Sequence, residues 1–285
     1  IVRHAFSPEA VAQYLPFLKL RAKEVVDAVV DRGECEFVTE VASELPLLTI
    51  CYLLEVPADH RQQVFQWTNT MMFIEDPDAS EGKDAALEAS MQLMQYAMSL
   101  KQGLSQASAH TVTGRLAAGE IDGKPISDED FMWMFLMVIT AGNETTRSGI
   151  AQGMRLLMEH PEQLEWLREN PDKIPDAVNE MLRFNSPLIS MRRTAMADVQ
   201  VGDAPIRKGD KVILHYPTVN FDENVFGKDA HMFDVTRAAR QPNLARDLRS
   251  FGTGSHYCLG THLAKQEMQI MFAELLSRLR APKFA

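Results

Sequence analysis

The chain has 285 residues, 46% of them apolar, and carries 39 Asp and Glu against 29 Lys and Arg, a net charge of −10. That acidity argues against nucleic acid as a partner, because affinity for nucleic acid depends on Lys and Arg meeting phosphates. Three cysteines, an odd number, argue against a disulfide framework and favour a reducing cytoplasm. No run approaches the roughly 18 apolar residues that a membrane-spanning helix requires.

Apolar residues recur at helical spacing through most of the chain, which predicts a mainly α protein. Ser7 is suited to cap the first helix and Pro8 to begin it, while residues 127–130 form a capping sequence before the longest helix. The predicted helices cover residues 8–30, 45–54, 59–73, 83–103, 131–159, 174–184 and 261–279.

Residues 198–221 have a different pattern, in which short β-favouring runs alternate with turn sequences such as Gly202-Asp203. This pattern predicts a small antiparallel sheet. No repeat and no linker-like segment divides the chain, so we predict one domain over residues 1–285.

A glycine-rich segment, residues 251–260, carries Cys258 immediately before the last predicted helix. Glycine tolerates positive φ, so this segment can turn sharply and pass close to a flat ligand. The field at the start of a helix favours thiolate over thiol, which suits a bond from sulfur to a metal. The alternative is a glycine-rich turn that carries an inert cysteine.

The longest helix contains Ala141-Gly142-Asn143-Glu144-Thr145 near its middle. Glycine inside a helix costs about 1 kcal/mol relative to alanine, so it needs a packing or functional reason. Thr145 can donate a hydrogen bond to a carbonyl three or four residues earlier. Glu144 adds an acid beside that hydroxyl, and the pair could pass protons through water. The alternative is a glycine that only packs against a neighbouring helix.

Together these segments resemble the cytochrome P-450 family of haem-thiolate monooxygenases. The segment Phe251-Gly252-Thr253-Gly254-Ser255-His256-Tyr257-Cys258-Leu259-Gly260 is similar to the soluble bacterial branch. The segments 141–147 and 220–223 are similar to its members that act on sterols, branched lipids and terpenoids. The resemblance covers almost the whole chain and implies an incomplete P-450 fold, truncated at both ends.

The resemblance implies a role for each matching residue. Haem b would be bound through the thiolate of Cys258, with Thr145 and Glu144 as the catalytic hydroxyl and its acidic partner. Cofactor contacts would come from His256 and Arg193, which would pair with the haem propionates, and from Ala141, Gly142, Phe251, Gly252 and Gly260. Glu180, Arg183 and Arg237 would form a structural triad that holds the cysteine segment in place.

The implied function is insertion of one atom of O2 into a C–H bond of an apolar sterol, lipid or terpenoid. Ferredoxin and ferredoxin reductase would supply the electrons in the cytoplasm. One alternative is a haem-binding protein without oxygenase activity. Another is a zinc or cysteine-nucleophile enzyme that uses Cys258 and His256, although the sequence offers no Cys-x-x-Cys cluster.

Two further expectations concern the surroundings of the haem. We expect part of the substrate wall to come from Phe135, Leu136, Ile139 and Thr140, together with residues 188–191. The segment Leu248-Arg249-Ser250 replaces the His-Leu-x sequence that the family usually places before Phe-Gly, and residues 244–247 make the approach longer. The approach to the cysteine segment is therefore expected to differ.

Overall fold

The computed structural model describes residues 1–74, 76–78, 80–105, 111–280 and 282–283. Within these ranges the chain is mainly helical. The helices are α1 (Pro8–Asp27), α2 (Glu44–Leu53), α3 (Arg61–Met72), α4 (Lys83–Gln102), α5 (Val112–Ala117), α6 (Asp128–Glu159), α7 (Pro161–Glu169), α8 (Ile174–Phe184), α9 (Tyr216–Asn220), α10 (Glu223–Phe226), α11 (Leu244–Asp247) and α12 (Thr261–Arg278). The strands are β1 (Glu120–Ile121), β2 (Lys124–Pro125), β3 (Ser190–Thr194), β4 (Val199–Val201), β5 (Ala204–Ile206) and β6 (Lys211–His215).

The helix ends follow the capping residues in the sequence. The Ser7 side chain accepts a hydrogen bond from the Ala10 amide, with Pro8 as the first residue of α1. Ser127 accepts from the Asp130 amide at 3.0 Å, and its hydroxyl donates to the Asp130 carboxylate at 2.6 Å. These reciprocal bonds fix the start of α6, so the predicted capping sequence is confirmed.

The chain divides into two compact units. The first comprises Ile1–Ala151 and Leu259–Leu279, and therefore contains α1 to α5, most of α6, and α12. In it α1 packs against α12 and α2, while α3 packs against α4. Its core is apolar, with fully buried side chains that include Leu18, Leu45, Phe135, Ile139 and Phe272.

The second unit comprises Gln152–Cys258 and the residues from Arg280 onward. In it α8 packs against α9 and α11. The same unit contains two antiparallel strand pairs. Strand β3 pairs with β6 from Ser190 opposite His215 to Thr194 opposite Lys211. Strands β4 and β5 form a hairpin whose turn contains Gly202 at φ 58°.

The predicted antiparallel pairing is confirmed, although two strand pairs were missed. The sequence prediction did not include β3, because Met191-Arg192-Arg193 lacks apolar alternation. It also did not include the two-residue strands β1 and β2. Among the described residues, no helix is both long and apolar enough to cross a membrane.

Candidate haem-thiolate site

The cysteine segment of the second unit is a tight loop closed by backbone hydrogen bonds. Gly252 and Gly254 have φ values of 72° and 69°, in the left-handed region that favours glycine. The Gly252 amide donates to the Arg249 carbonyl at 2.8 Å, and the Cys258 amide donates to the Phe251 carbonyl at 2.9 Å. Cys258 therefore lies at the closing end of this loop, with an exposed side chain.

Gly260 has a different geometry from the two loop glycines. It is the residue before α12, with φ of −84°, and its carbonyl accepts the first bond of that helix from the Ala264 amide at 2.9 Å. Any residue can adopt this backbone conformation, so the φ value does not explain why a glycine occurs here.

Helix α6 of the first unit carries the hydroxyl and the acid that the sequence singled out. The Thr145 hydroxyl donates to the Ala141 carbonyl at 2.9 Å, which confirms the predicted bond within the helix. Because this bond uses the only hydroxyl hydrogen, the oxygen of Thr145 can act toward a ligand as an acceptor. Ala141 is exposed on the same side, four residues earlier.

Gly142 packs against α2. A Cβ atom added there would lie 2.9 Å from Cδ1 of Ile50, closer than real Cβ contacts allow. Close packing of two helices is therefore sufficient to explain this glycine, as the alternative in the sequence analysis held. A contact between Gly142 and a cofactor stays a prediction.

The carboxylate of Glu144 is paired on its own helix. It accepts a hydrogen bond from the Arg147 guanidinium, which also reaches the Asn69 side chain at 3.5 Å and lies 5.1 Å from the centre of the Phe73 ring. Burial raises the pKa of Glu144, and the charge and hydrogen bond of Arg147 oppose that rise. An acid in this setting holds its proton more readily than an exposed glutamate does.

In the second unit the triad residues meet in one buried cluster. Both Glu180 oxygens accept from Arg183, at 2.7 and 2.8 Å, and one also accepts from Nε of Arg237 at 3.1 Å. All three side chains are fully buried. Both guanidinium groups also donate to backbone carbonyls, which satisfies charges that would otherwise be costly to bury.

Arg193 and His256 are candidates for binding carboxylates. Arg193 lies on β3, half-buried, and donates to the Arg192 carbonyl at 3.1 Å. His256 is exposed in the short 3-10 helix of the cysteine loop. Within the described ranges neither side chain forms an ion pair with Asp or Glu.

The expected substrate wall on α6 is wrong in three of its residues. Phe135 and Ile139 are fully buried in the core of the first unit, and Leu136 is also buried. The helix instead exposes Trp133 and Met137, each 55% accessible, on the stripe that continues at four-residue steps to Ala141 and Thr145. Of the later segment, Leu188, Ile189 and Met191 are exposed apolar side chains.

Two polar clusters were missed from the sequence. Glu267 lies on α12, buried, with hydrogen bonds to Thr49 and Thr146. The sequence does contain a signal for it, because Glu267 interrupts an otherwise apolar helix stripe that includes Leu263 and Met271. The second cluster surrounds Asn220 in the second unit, which the sequence analysis named only as part of the segment 220–223, and no sequence pattern marks its hydrogen bonds.

No group of three or more His, Cys, Asp or Glu side chains suited to a metal ion occurs among the described residues. The other two cysteines have different settings. Burial raises the pKa of Cys51 to about 12, and burial together with Glu40 raises that of Cys35. Neither is disposed to form a thiolate.

Comparison with known proteins gives one consistent family. The profile of the cytochrome P450 family matches residues 49–282. The steroid C26-monooxygenase of Mycolicibacterium smegmatis is 35% identical over 273 residues, which cover 95% of this chain and 61% of the relative. The methyl-branched lipid omega-hydroxylase of Mycobacterium tuberculosis is 35% identical over 279 residues, covering 96% and 64%.

Solved structures agree with this result. A Mycobacterium marinum cytochrome P450 in complex with pseudoionone superposes with a TM-score of 0.89 at 32% identity, covering 98% of this chain and 67% of that one. The predicted fold class is confirmed. The chain spans about three fifths of the length of the curated relatives it matches.

Proposed function

The chain belongs to the cytochrome P450 family, and from that premise we propose that it is a haem-dependent monooxygenase acting on an apolar substrate. The observation that carries the proposal is the loop of the second unit, which presents Cys258 between left-handed glycines and the start of α12. Haem b is the cofactor of this family, as the sequence predicts.

The residues present fit a haem group. A haem-thiolate site needs a cysteine sulfur for the iron and donors for two propionates. Cys258 supplies an exposed sulfur, while Arg193 and His256 supply donors that form no ion pair with Asp or Glu in the described part of the chain. At Gly252 a Cβ would lie 3.4 Å from the Tyr216 hydroxyl, an ordinary contact, so the φ of 72° rather than crowding favours glycine there.

When bound, haem supplies the activation of dioxygen and the oxidation of the C–H bond. Cys258 would hold the iron, and Arg193 and His256 would hold the propionates. The Thr145 oxygen, whose hydrogen is committed to the Ala141 carbonyl, would accept a hydrogen bond from a protonated ligand. Burial raises the pKa of Glu144, which suits this carboxyl group to exchange a proton.

The substrate proposed is a sterol, a branched lipid or a terpenoid. Two similar proteins bear names for steroid and methyl-branched lipid hydroxylation. The exposed Trp133 and Met137 on α6 begin an apolar stripe that leads in four-residue steps through Ala141 to Thr145. Ferredoxin and ferredoxin reductase are the proposed electron donors, and the cytoplasm is the proposed location.

The test is product formation by haem-loaded protein with a surrogate ferredoxin, its reductase and labelled dioxygen. A sterol and a methyl-branched fatty acid serve as substrates. We expect a hydroxylated product with one labelled oxygen atom. Thr145→Val should lower product per electron consumed by about tenfold or more, whereas Thr145→Ser, which keeps the hydroxyl, should retain most of it.

Two results would contradict the proposal. If Thr145→Val matches the parent, the hydroxyl has no part in proton transfer. If haem is retained but neither substrate is oxidised, the chain fits the alternative of a haem-binding protein without oxygenase activity.

A further inference from the structure

A buried polar junction in the second unit is centred on Asn220, the last residue of α9. Its side-chain amide donates at 2.9 Å to the hydroxyls of both Ser186 and Ser250, and its side-chain oxygen accepts from the Arg249 amide at 2.7 Å. Its own carbonyl accepts from Arg183 at 2.8 Å. Asn220 is fully buried, and its bonds to Ser186 and Arg183 are buried with it, while those to Ser250 and the Arg249 amide are partly buried.

The direction of each bond in the junction can be assigned. Ser250 donates its hydroxyl hydrogen to the Leu182 carbonyl at 2.5 Å, so it must accept from Ser186, 2.8 Å away. Ser186 accepts from Asn220 in turn. The two amide hydrogens of Asn220 are both used, and a reversed amide would set its NH2 group against the Arg249 N–H. The hydrogen bonds that join Asn220, Ser186 and Ser250 therefore have a single consistent set of directions.

The junction leads directly into the cysteine loop. Ser250 precedes Phe251, whose carbonyl accepts the Cys258 amide, and Arg249 accepts the Gly252 amide. At the opposite end of α9 the Tyr216 hydroxyl lies near the loop, 3.4 Å from where a Cβ on Gly252 would be. The hydrogen bonds of Asn220 are therefore the attachment of α9 to the entrance of the loop.

Arg249 secures the other side of the loop entrance. Its guanidinium donates to the carbonyls of Arg246 and Asp247, both at 2.8 Å, at the end of α11. Its backbone amide is meanwhile bound to Asn220. The longer segment before the cysteine loop, residues 244–249, is therefore joined to α9 by this hydrogen bond.

We propose that Asn220 is a positioning residue for Cys258, acting through Ser250 and the Arg249 backbone to hold the cysteine loop against α8. The inference rests on the proposed function, because the Cys258 sulfur that the loop positions is the proposed iron ligand. It concerns the loop itself, so one part of its test needs no haem.

The first measurement is native-state amide hydrogen exchange in the purified chain. In Asn220→Ala the amides of Gly252 and Cys258 should exchange roughly ten- to a hundredfold faster, because buried groups lose their partners. The buried amides of α12 serve as an internal reference and should be unchanged. Asn224→Ala is the matched control, because Asn224 is exposed and its side chain donates to the neighbouring Asp222 rather than to the cysteine loop.

Two serine variants keep the test decisive if Asn220→Ala does not fold. Ser250→Ala removes the direct attachment of the loop, whereas Ser186→Ala removes one bond further from it. Loop exchange should therefore accelerate more in Ser250→Ala than in Ser186→Ala. Equal rates in both variants, or parental loop exchange in folded Asn220→Ala, overturn the proposal.

The second measurement is the spectrum of the reduced, carbon-monoxide-bound protein. The fraction of haem with a strongly red-shifted Soret band should fall in Asn220→Ala and Ser250→Ala and stay parental in Asn224→Ala. A parent without that band contradicts the proposed function, while the exchange result still decides the role of Asn220. Parental spectra in both loop variants contradict positioning of the ligand.

Discussion

Glu267 gives the most quantitative prediction. It lies on α12, 2% exposed, with hydrogen bonds to Thr49 of α2 and Thr146 of α6. Burial raises its pKa from 4.5 to about 8, and the two threonine hydrogen bonds oppose the rise only in part. The folded chain therefore keeps this acid neutral at pH 7, where it links three helices next to Thr145.

The sign of the pH dependence follows from the raised pKa. The folded state holds the proton more tightly than the unfolded state, so the contribution of Glu267 to stability is complete below pH 4.5. It is lost as pH rises from 4.5 to about 8. At 1.36 kcal/mol per pH unit the whole window amounts to roughly 5 kcal/mol, and the part above pH 6 to about 3 kcal/mol.

The assay is urea unfolding at pH 6 and pH 9. Glu267→Gln keeps a donor and an acceptor but cannot ionise, so its free energy of unfolding should not carry this loss as pH rises. Its stability relative to the parent should therefore grow by about 3 kcal/mol between pH 6 and pH 9. Glu274→Gln, on the partly exposed side of α12, should keep the parental pH dependence. Identical pH dependence in the parent and Glu267→Gln would refute the reasoning.

Two other substitutions test the packing around the site. Arg237→Met should lower the free energy of unfolding by about 3–5 kcal/mol, because it removes one cation from the buried Glu180 cluster. Gly142→Ala should be destabilising in the parent but less so beside Ile50→Val, which removes the Cδ1 atom that a Cβ would meet at 2.9 Å. Urea unfolding measures both.

Each of these predictions has its control. Arg240→Met removes an exposed arginine that pairs with Asp229 and Asp234, and should cost no more than about 1 kcal/mol. If Arg237→Met lost no more stability than Arg240→Met, burial would not explain the contribution of Arg237. For Gly142, additive effects of the two substitutions would show that Ile50 does not limit the site.

Helix prediction succeeded where single residues fix the ends of an element. Ser127 and Asp130 fix the start of α6, and Pro161 after His160 marks its end. Periodicity alone could not say which face of α6 meets the core. Phe135 and Trp133 both lie on this apolar helix, and only packing decides that the first is buried and the second exposed.

The sequence of the cysteine loop indicates its chemistry but not the residues that support it. The sequence of the cysteine segment predicts the left-handed glycines, which the structure contains at Gly252 and Gly254. The contacts of Asn220 with Ser186 and Ser250 join residues 34 and 30 positions apart. Such long-range hydrogen bonds leave no periodic signal, so they become visible only after the chain is folded.

The measurement closest to the central claim compares the reduced, carbon-monoxide-bound spectra of three proteins. The parent and Cys35→Ala, which changes an exposed cysteine of the first unit, should both show the strongly red-shifted Soret band of a thiolate ligand. Cys258→Ala should lose it while binding the same or less haem. Persistence of that band without the Cys258 sulfur would contradict the account.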